Sequence, residues 1–197
     1  GAGNLLGDEQ SGHIREVGIE LYQRMLEEAV AEARGGDSES SEADEWSPQI
    51  SVGLSVMIPE FYVADLSVRM GLYRRLAWLN GREEIDAFAA EMIDRFGSLP
   101  DEVENLIQVV LLKSLCRRCG VEKVDAGPKG AVVSFRNQSY ANPVGLVHFI
   151  THQAGTTKLR PDHKLVYMRR WDDGAARIEG VRYLLNRLVE IAEAEPG

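Results

Sequence analysis

The stretch from Glu83 to Pro100 constrains the fold most, because it specifies one helix, its end and the start of the next helix. Gly97 stands where a helix often ends in a left-handed residue, and Pro100 is tolerated in the first turn of a following helix. At about 100° per residue, the apolar side chains of residues 83–96 fall on one stripe of the predicted helix. The stripe comprises Ile85, Phe88, Ala89, Met92, Ile93 and Phe96. We predict that this stripe is buried, with Ile93 and Phe96 included.

The opposite face of the same predicted helix carries acidic residues with small residues between them. These residues are Glu83, Ala87, Ala90, Glu91 and Asp94. A solvated surface and a contact for a basic protein both fit this pattern. An acid–base pair formed by Glu91 and Asp94 is disfavoured, because nothing in the sequence indicates a pocket that would raise a carboxyl pKa.

Charge is divided unevenly along the 197 residues. Residues 1–100 carry 8 Lys and Arg against 19 Asp and Glu, whereas residues 101–197 carry 14 against 12. With a net charge of −9, the chain is a poor general binder of phosphate backbones, because that binding depends on cationic contacts. The acidic half suits a basic protein partner better.

A cluster of arginines offers an alternative. Arg69, Arg74 and Arg75 lie on a predicted helix that Asp65 caps and that runs to about Asn80. These arginines could contact nucleic acid, or they could pair with the acidic residues nearby. An accessory nucleic-acid-binding module therefore stands beside the protein-interaction hypothesis.

The hydrophobic pattern predicts an α+β fold, in which helices pack on a small, mostly antiparallel sheet. An amphipathic helix that begins at His13 and a flexible acidic linker precede this fold. We divide the chain into residues 1–34, the linker 35–48 and a C-terminal domain 49–197. Strands are predicted at 50–58, 121–126, 131–135, 157–160 and 164–168. Helices are predicted at 65–80, 83–96, 103–116 (the central core helix), from Asn142 onwards and at 174–194.

The sequence shows no motif that carries catalysis or binds a cofactor. Cys116 and Cys119 have C-x-x-C spacing, but a zinc ribbon needs a second pair and a redox motif places its thiol at a helix N-terminus. His148 and His152 lack the Glu that zinc proteases place after the first His. We expect no catalytic, cofactor-binding or metal site, and no membrane partner. In the absence of a long apolar run or a signal pattern, we expect a soluble, cytoplasmic protein.

Several short motifs, in the same order, carry a family resemblance. Gly1-Ala-Gly-Asn-Leu-Leu-Gly7 and Gln10-Ser-Gly12 resemble the segment that follows the last helicase motif in bacterial transcription-repair coupling factors and in the related RecG translocase. Ile58-Pro-Glu-Phe-Tyr-Val-Ala-Asp65, Tyr73-Arg-Arg-Leu76 and Ile93-Asp-Arg-Phe-Gly-Ser-Leu-Pro100 resemble the C-terminal domain of the coupling factors alone. The resemblance covers residues 1–34, as the tail of the translocase module, and about 49–195.

The resemblance implies a role within a larger protein. The family's whole protein uses ATP and Mg to translocate on double-stranded DNA, displaces stalled RNA polymerase and recruits nucleotide excision repair. This chain lacks the ATPase lobes, so we expect no ATP hydrolysis from it, and contact with DNA only through the parent. The family's C-terminal domain docks on an N-terminal repair-protein-like module and masks the surface that binds UvrA, which makes it an autoinhibitory regulatory domain.

The resemblance also assigns roles to particular residues. Glu91 and Asp94 match the acidic residues of the docking contact, and we group Glu83 and Arg95 of the same helix with them as interaction residues. Gln10 matches the motif that couples ATP hydrolysis to DNA movement.

Overall fold

The computed structural model describes residues 46–194, which contain five α-helices and five β-strands. The helices are α1 (Leu66–Trp78), α2 (Gly81–Phe96), α3 (Asp101–Cys119), α4 (Pro143–His152) and α5 (Gly174–Glu193). The strands are β1 (Gln49–Ser51), β2 (Val121–Gly127), β3 (Gly130–Phe135), β4 (Thr157–Leu159) and β5 (Leu165–Met168). The predicted N-terminal helix, most of the predicted linker and Gln10 lie outside the described residues.

The strands form one sheet in the order β1-β2-β3-β5-β4. β1 runs parallel to β2, and every other neighbouring pair is antiparallel. This mixed but mostly antiparallel sheet, with helices packed on it, confirms the predicted α+β class. The parallel pairing of β1 was not predicted, because a period of two indicates a strand but not its neighbour.

The described residues cluster into two compact units. The first unit contains residues 54–110, and the second contains residues 46–53 and 111–194. Helix α1, helix α2 and the first half of α3 therefore belong to the first unit. The sheet, α4, α5 and the second half of α3 belong to the second.

In the first unit, local sequence signals define the helix ends as expected. The Asp65 side chain caps α1, since its Oδ1 accepts a hydrogen bond from the Val68 amide at 2.9 Å. The Ile58 amide donates to the Tyr73 hydroxyl at 2.7 Å, which fixes the segment before α1 against that helix. Burial raises the pKa of Tyr73.

The predicted strand at 50–58 is wrong beyond Ser51. Gly53 takes a positive φ of 68°, which turns the chain out of the sheet. Residues after this turn are held by other contacts: the Asn105 side-chain amide donates to the Ser55 carbonyl oxygen at 3.3 Å. Val56 and Ile58 are nonetheless buried, so the apolar alternation reflects burial rather than strand pairing.

In the second unit, the apolar stripe of α5 forms much of the core. Its buried members include Ile178, Val181, Leu184, Leu185 and Leu188. Asn142 caps α4, since its Oδ1 accepts a hydrogen bond from the Gly145 amide at 3.0 Å. Val144 and Val147 of α4 are apolar, but their side chains are 69% and 60% exposed.

None of the helices among residues 46–194 combines the length and the apolar character that crossing a membrane requires.

Candidate interaction surface

Helix α2 buries a narrower stripe than its sequence predicts. Ile85, Phe88 and Met92 are buried as expected, and Phe96 is half-buried. The predicted burial of Ile93 is wrong, because its side chain is 50% exposed. Ile93 follows Met92 by about 100° around the helix, which places it at the edge of the stripe.

The outward side of α2 presents a surface that we call the outer face of α2. It comprises Glu83, Ala87, Ala90, Ile93 and Asp94, all of which are exposed. Neither Glu83 nor Asp94 has an ion-pair partner within residues 46–194. The outer face therefore offers two carboxylates, two methyl groups and one apolar side chain to an approaching molecule.

Glu91 differs from the other predicted interaction residues, because its carboxylate is already paired. Arg75 donates two hydrogen bonds to it, at 2.5 and 2.8 Å, and Arg95 donates a third at 3.0 Å. The hydrogen bonds from Arg75, and then the one from Arg95, lower the pKa of Glu91 to about 2. Both arginine side chains remain partly exposed, so solvent screens these ion pairs.

Each of the two arginines also lies over an aromatic ring. The Arg75 guanidinium carbon is 5.2 Å from the centre of the Phe88 ring, and that of Arg95 is 4.8 Å from the centre of the Phe96 ring. Guanidinium groups at this distance gain a cation–π attraction in addition to the ion pair. Arg95 was predicted as an interaction residue, but its guanidinium already contacts the Glu91 carboxylate of the same helix.

The C-terminal end of α2 is fixed by an aromatic side chain from the segment before α1. The Tyr62 hydroxyl lies 3.1 Å from the Met92 carbonyl oxygen and 2.7 Å from that of Gly97. The Tyr62 ring contacts Phe96, with ring centres 5.7 Å apart. Gly97 ends the helix with a positive φ of 92°, as expected, but its ψ of −169° lies outside the left-handed helical region. These contacts hold the last turn of α2, which carries Asp94.

A groove lies between the end of α1 and helix α2 and is not evident from the sequence. It has a volume of about 400 Å³, and it is lined by Arg75, Trp78, Leu79, Glu84, Ala87, Phe88 and Glu91. The Arg75 guanidinium in this lining is already paired with the Glu91 carboxylate, so it leaves Glu84 as the other charged group of the groove. Trp78 is 57% exposed at the last position of α1. The sequence signal for this groove was a large aromatic residue two positions before the helix break at Asn80.

The arginines of α1 do not form one cationic face. Arg69 donates to the carbonyl oxygen of Val63 at 2.8 Å, whereas Arg75 pairs with Glu91. Arg69, Arg74 and Arg75 are also separated by about 100° or more from one another around the helix. The three arginines of α1 therefore present a weaker binding surface for a phosphate backbone than their proximity in the sequence indicates.

The remaining sequence candidates lack the surroundings that reactivity requires. Cys116 and Cys119 are both buried, and burial raises the pKa of Cys119 to about 12, so the thiolate is disfavoured. His152 Nδ1 lies 2.7 Å from the backbone carbonyl oxygen of His148. Within the part of the chain that the structure describes, no three His, Cys, Asp or Glu side chains are grouped as metal ligands.

Comparisons with known proteins agree on one family. A family profile described as the TRCF domain matches residues 52–146. The transcription-repair-coupling factor of Rickettsia conorii is 42% identical over 187 residues, which cover 94% of this chain and 16% of that protein. The factor of Escherichia coli is 33% identical over 196 residues, which cover 98% of this chain and 17% of that protein. The chain belongs to the transcription-repair coupling factor family.

A solved structure of the C-terminal domain of a transcription-repair coupling factor has the same fold. It aligns with a TM-score of 0.65 and 20% identity, and the alignment covers 77% of this chain and 97% of that one. The chain spans only about a sixth of the length of the coupling factors that it matches in sequence. The chain thus shares sequence with a fraction of a multidomain repair factor, and that fraction folds like the C-terminal domain.

Proposed function

We propose that this chain is the regulatory interaction domain of a multidomain transcription-repair coupling factor, and that it docks on the N-terminal module of the same protein through the outer face of α2. The observation that carries this proposal is the exposure of Glu83 and Asp94 on one side of a well-anchored helix. The alanines between them let a partner approach the helix closely, and Ile93 adds an apolar contact.

Electrostatics favour a basic partner for this surface. Residues 54–110 carry a net charge of −5, counting Lys and Arg against Asp and Glu. A negative field of this kind speeds the encounter with a basic protein and discriminates against acidic ones. The N-terminal module is expected to present basic residues to the docking helix.

The docked domain has a defined consequence in the whole factor. It masks the surface through which the N-terminal module binds UvrA, and it restrains ATP-driven movement on double-stranded DNA. Engagement of stalled RNA polymerase releases the domain. ATP and Mg belong to the translocase lobes of the parent protein and not to this domain.

Glu91 contributes to this contact differently from Asp94. A partner's basic side chain reaches the Glu91 carboxylate only by sharing it with Arg75 and Arg95. Asp94 and Glu83 need no such exchange. Charge reversal at Glu91 also disturbs the packing of two arginines, so it reports on folding as well as on docking.

The first test is therefore a charge reversal that spares Glu91. The double variant Glu83→Lys/Asp94→Lys should bind the isolated N-terminal module at least about tenfold more weakly, because two attractive interactions become repulsive. Isothermal titration calorimetry at low salt measures the dissociation constant.

The double variant Glu122→Lys/Glu179→Lys is the matched control, because it makes the same change in charge at two exposed glutamates, on β2 and α5, outside the proposed contact. It should leave the dissociation constant within about twofold of the wild-type value. Equal affinity of the wild-type chain and the double variant would exclude the outer face of α2 as the docking site.

A further inference from the structure

In the first unit, the contacts of two arginine side chains, Arg75 and Arg95, show how this unit binds a guanidinium group. Arg75 makes two hydrogen bonds to the Glu91 carboxylate while its guanidinium lies over the Phe88 ring. Arg95 makes one hydrogen bond to the same carboxylate and lies over the Phe96 ring. In both cases an aromatic ring and a carboxylate together hold one arginine, which is the combination that guanidinium chemistry favours.

The groove beside α2 presents the same two groups again, on different residues. Trp78 contributes an indole ring that is 57% exposed, and Glu84 contributes a carboxylate to the same groove. Glu84 Oε2 accepts a hydrogen bond from the Asn80 amide at 2.6 Å, which holds the side chain in place and leaves Oε1 for a second donor. Within residues 46–194, no arginine or lysine side chain lies over the Trp78 ring.

We infer that this groove binds an arginine side chain of a partner protein, with the guanidinium stacked on Trp78 and paired with Glu84. The identity of that partner rests on the proposed function, because Ala87 belongs both to the groove lining and to the outer face of α2. One basic partner surface can therefore contact Asp94 and insert an arginine beside Trp78.

Several features of the groove favour arginine over other side chains. The net charge of −5 on residues 54–110 attracts a cation and disfavours an acidic residue. A planar guanidinium stacks on an indole ring and forms directed hydrogen bonds to a carboxylate at the same time, which an ammonium group does less well. Tryptophan is also the aromatic residue with the strongest cation–π attraction.

Two substitutions at Trp78 separate ring chemistry from apolar contact. Trp78→Leu should weaken binding of the N-terminal module about five- to tenfold, because leucine keeps an apolar contact but has no π face. Trp78→Phe should weaken it by no more than about threefold, because the ring is retained. Trp78 is exposed, so circular-dichroism melting curves should show both variants folded. If Trp78→Leu and Trp78→Phe bind equally well, the arginine site is excluded.

Glu84→Gln tests the carboxylate in the same titration. Glutamine keeps an acceptor for the Asn80 amide but removes the charge, so binding should weaken about threefold or more. Glu122→Gln, the control with the same change in charge, should have no effect. An unchanged affinity for Glu84→Gln would also contradict the proposed site.

A titration without the module tests the groove independently of the proposed function. The chain has three tryptophans, and the indole N–H signal of each can be followed by ¹H–¹⁵N NMR as N-acetyl-arginine amide is added. The Trp78 signal should shift, while that of Trp171, which is only 7% exposed, should not. N-acetyl-norleucine amide, which lacks the charge, should shift neither signal.

The titration with the N-terminal module and the titration with N-acetyl-arginine amide together distinguish a failure of the proposed function from a failure of the groove inference. If the module does not bind the wild-type chain but the Trp78 signal responds to arginine, the proposed function fails and the groove remains an arginine site. If the module binds through the outer face but Trp78 responds equally to arginine and norleucine, the groove inference fails alone.

Discussion

At the scale of single residues, the pairing of Glu91 changes what this side chain can do. Its sequence position places it among the acidic residues of α2, but Arg75 and Arg95 both donate hydrogen bonds to it. Arg75 lies 16 positions away in the sequence, on another helix. Helical periodicity orients side chains on one helix and does not show which helix lies beside it, so this pairing was not predictable from the sequence.

The Glu91 pairing predicts a pH-dependent contribution to stability. The folded-state pKa of about 2 lies below the ordinary value of 4.5. The contribution is therefore complete above about pH 4.5 and is lost as the pH falls towards 2. Because the group is partly exposed, Glu91→Gln should lower the free energy of unfolding at pH 7 by only about 0.5–1 kcal/mol.

Urea denaturation at pH 7 and at pH 2.5 measures this effect. The difference between the wild-type chain and Glu91→Gln should shrink at the lower pH. Asp94→Asn is the control, because Asp94 has no ion-pair partner among residues 46–194, and it should change the free energy of unfolding by less than about 0.5 kcal/mol. A Glu91→Gln effect of the same size at both pH values would contradict the pairing.

At the scale of the helices and strands, the sequence predicts where helices begin well, but it predicts the pairing and burial of these elements poorly. The Asp65 and Asn142 caps are present because capping depends only on residues three positions apart. The strand predicted at 50–58 fails after Ser51, because one glycine with a positive φ turns the chain out of the sheet. Val144 and Val147 of α4 are exposed although they are apolar, since an apolar helix does not indicate how many of its sides are covered.

Two helical glycines with different surroundings should respond in opposite ways to alanine. A Cβ atom at Gly180 of α5 would overlap the indole carbons of Trp171, whereas a Cβ at Gly71 of α1 meets no atom within 4 Å. Gly180→Ala should therefore lower the free energy of unfolding by about 1–3 kcal/mol. Gly71→Ala should raise it by about 0.5–1 kcal/mol, because alanine is the better helix former.

Urea denaturation of the two variants beside the wild-type chain measures both changes. If Gly180→Ala stabilised the chain as much as Gly71→Ala, the close contact between α5 and Trp171 would be incorrect.

At the scale of the whole molecule, the two compact units differ in the sign of their charge. Residues 54–110 carry a net charge of −5, whereas residues 46–53 and 111–194 together carry +6. The uneven distribution was visible in the sequence, and it supports a basic partner for the acidic unit. The division into units was not predicted, since it depends on contacts between distant parts of the chain.

The candidate site was predictable only in outline. The outward position of Glu83 and Asp94 follows from helical periodicity, and the family resemblance selected that face among several solvated ones. Trp78 and the groove beside it required the structure, because the groove forms where α1 and α2 meet across the break at Asn80.

Docking of the outer face of α2 on the N-terminal module should mask the UvrA-binding surface of that module in the full-length parent factor. The measurement is the affinity of UvrA for the wild-type factor and for the factor carrying Glu83→Lys and Asp94→Lys. We expect the double variant to bind UvrA at least about tenfold more tightly, because release of this domain exposes the masked surface. Equal UvrA affinity for the two proteins would contradict it.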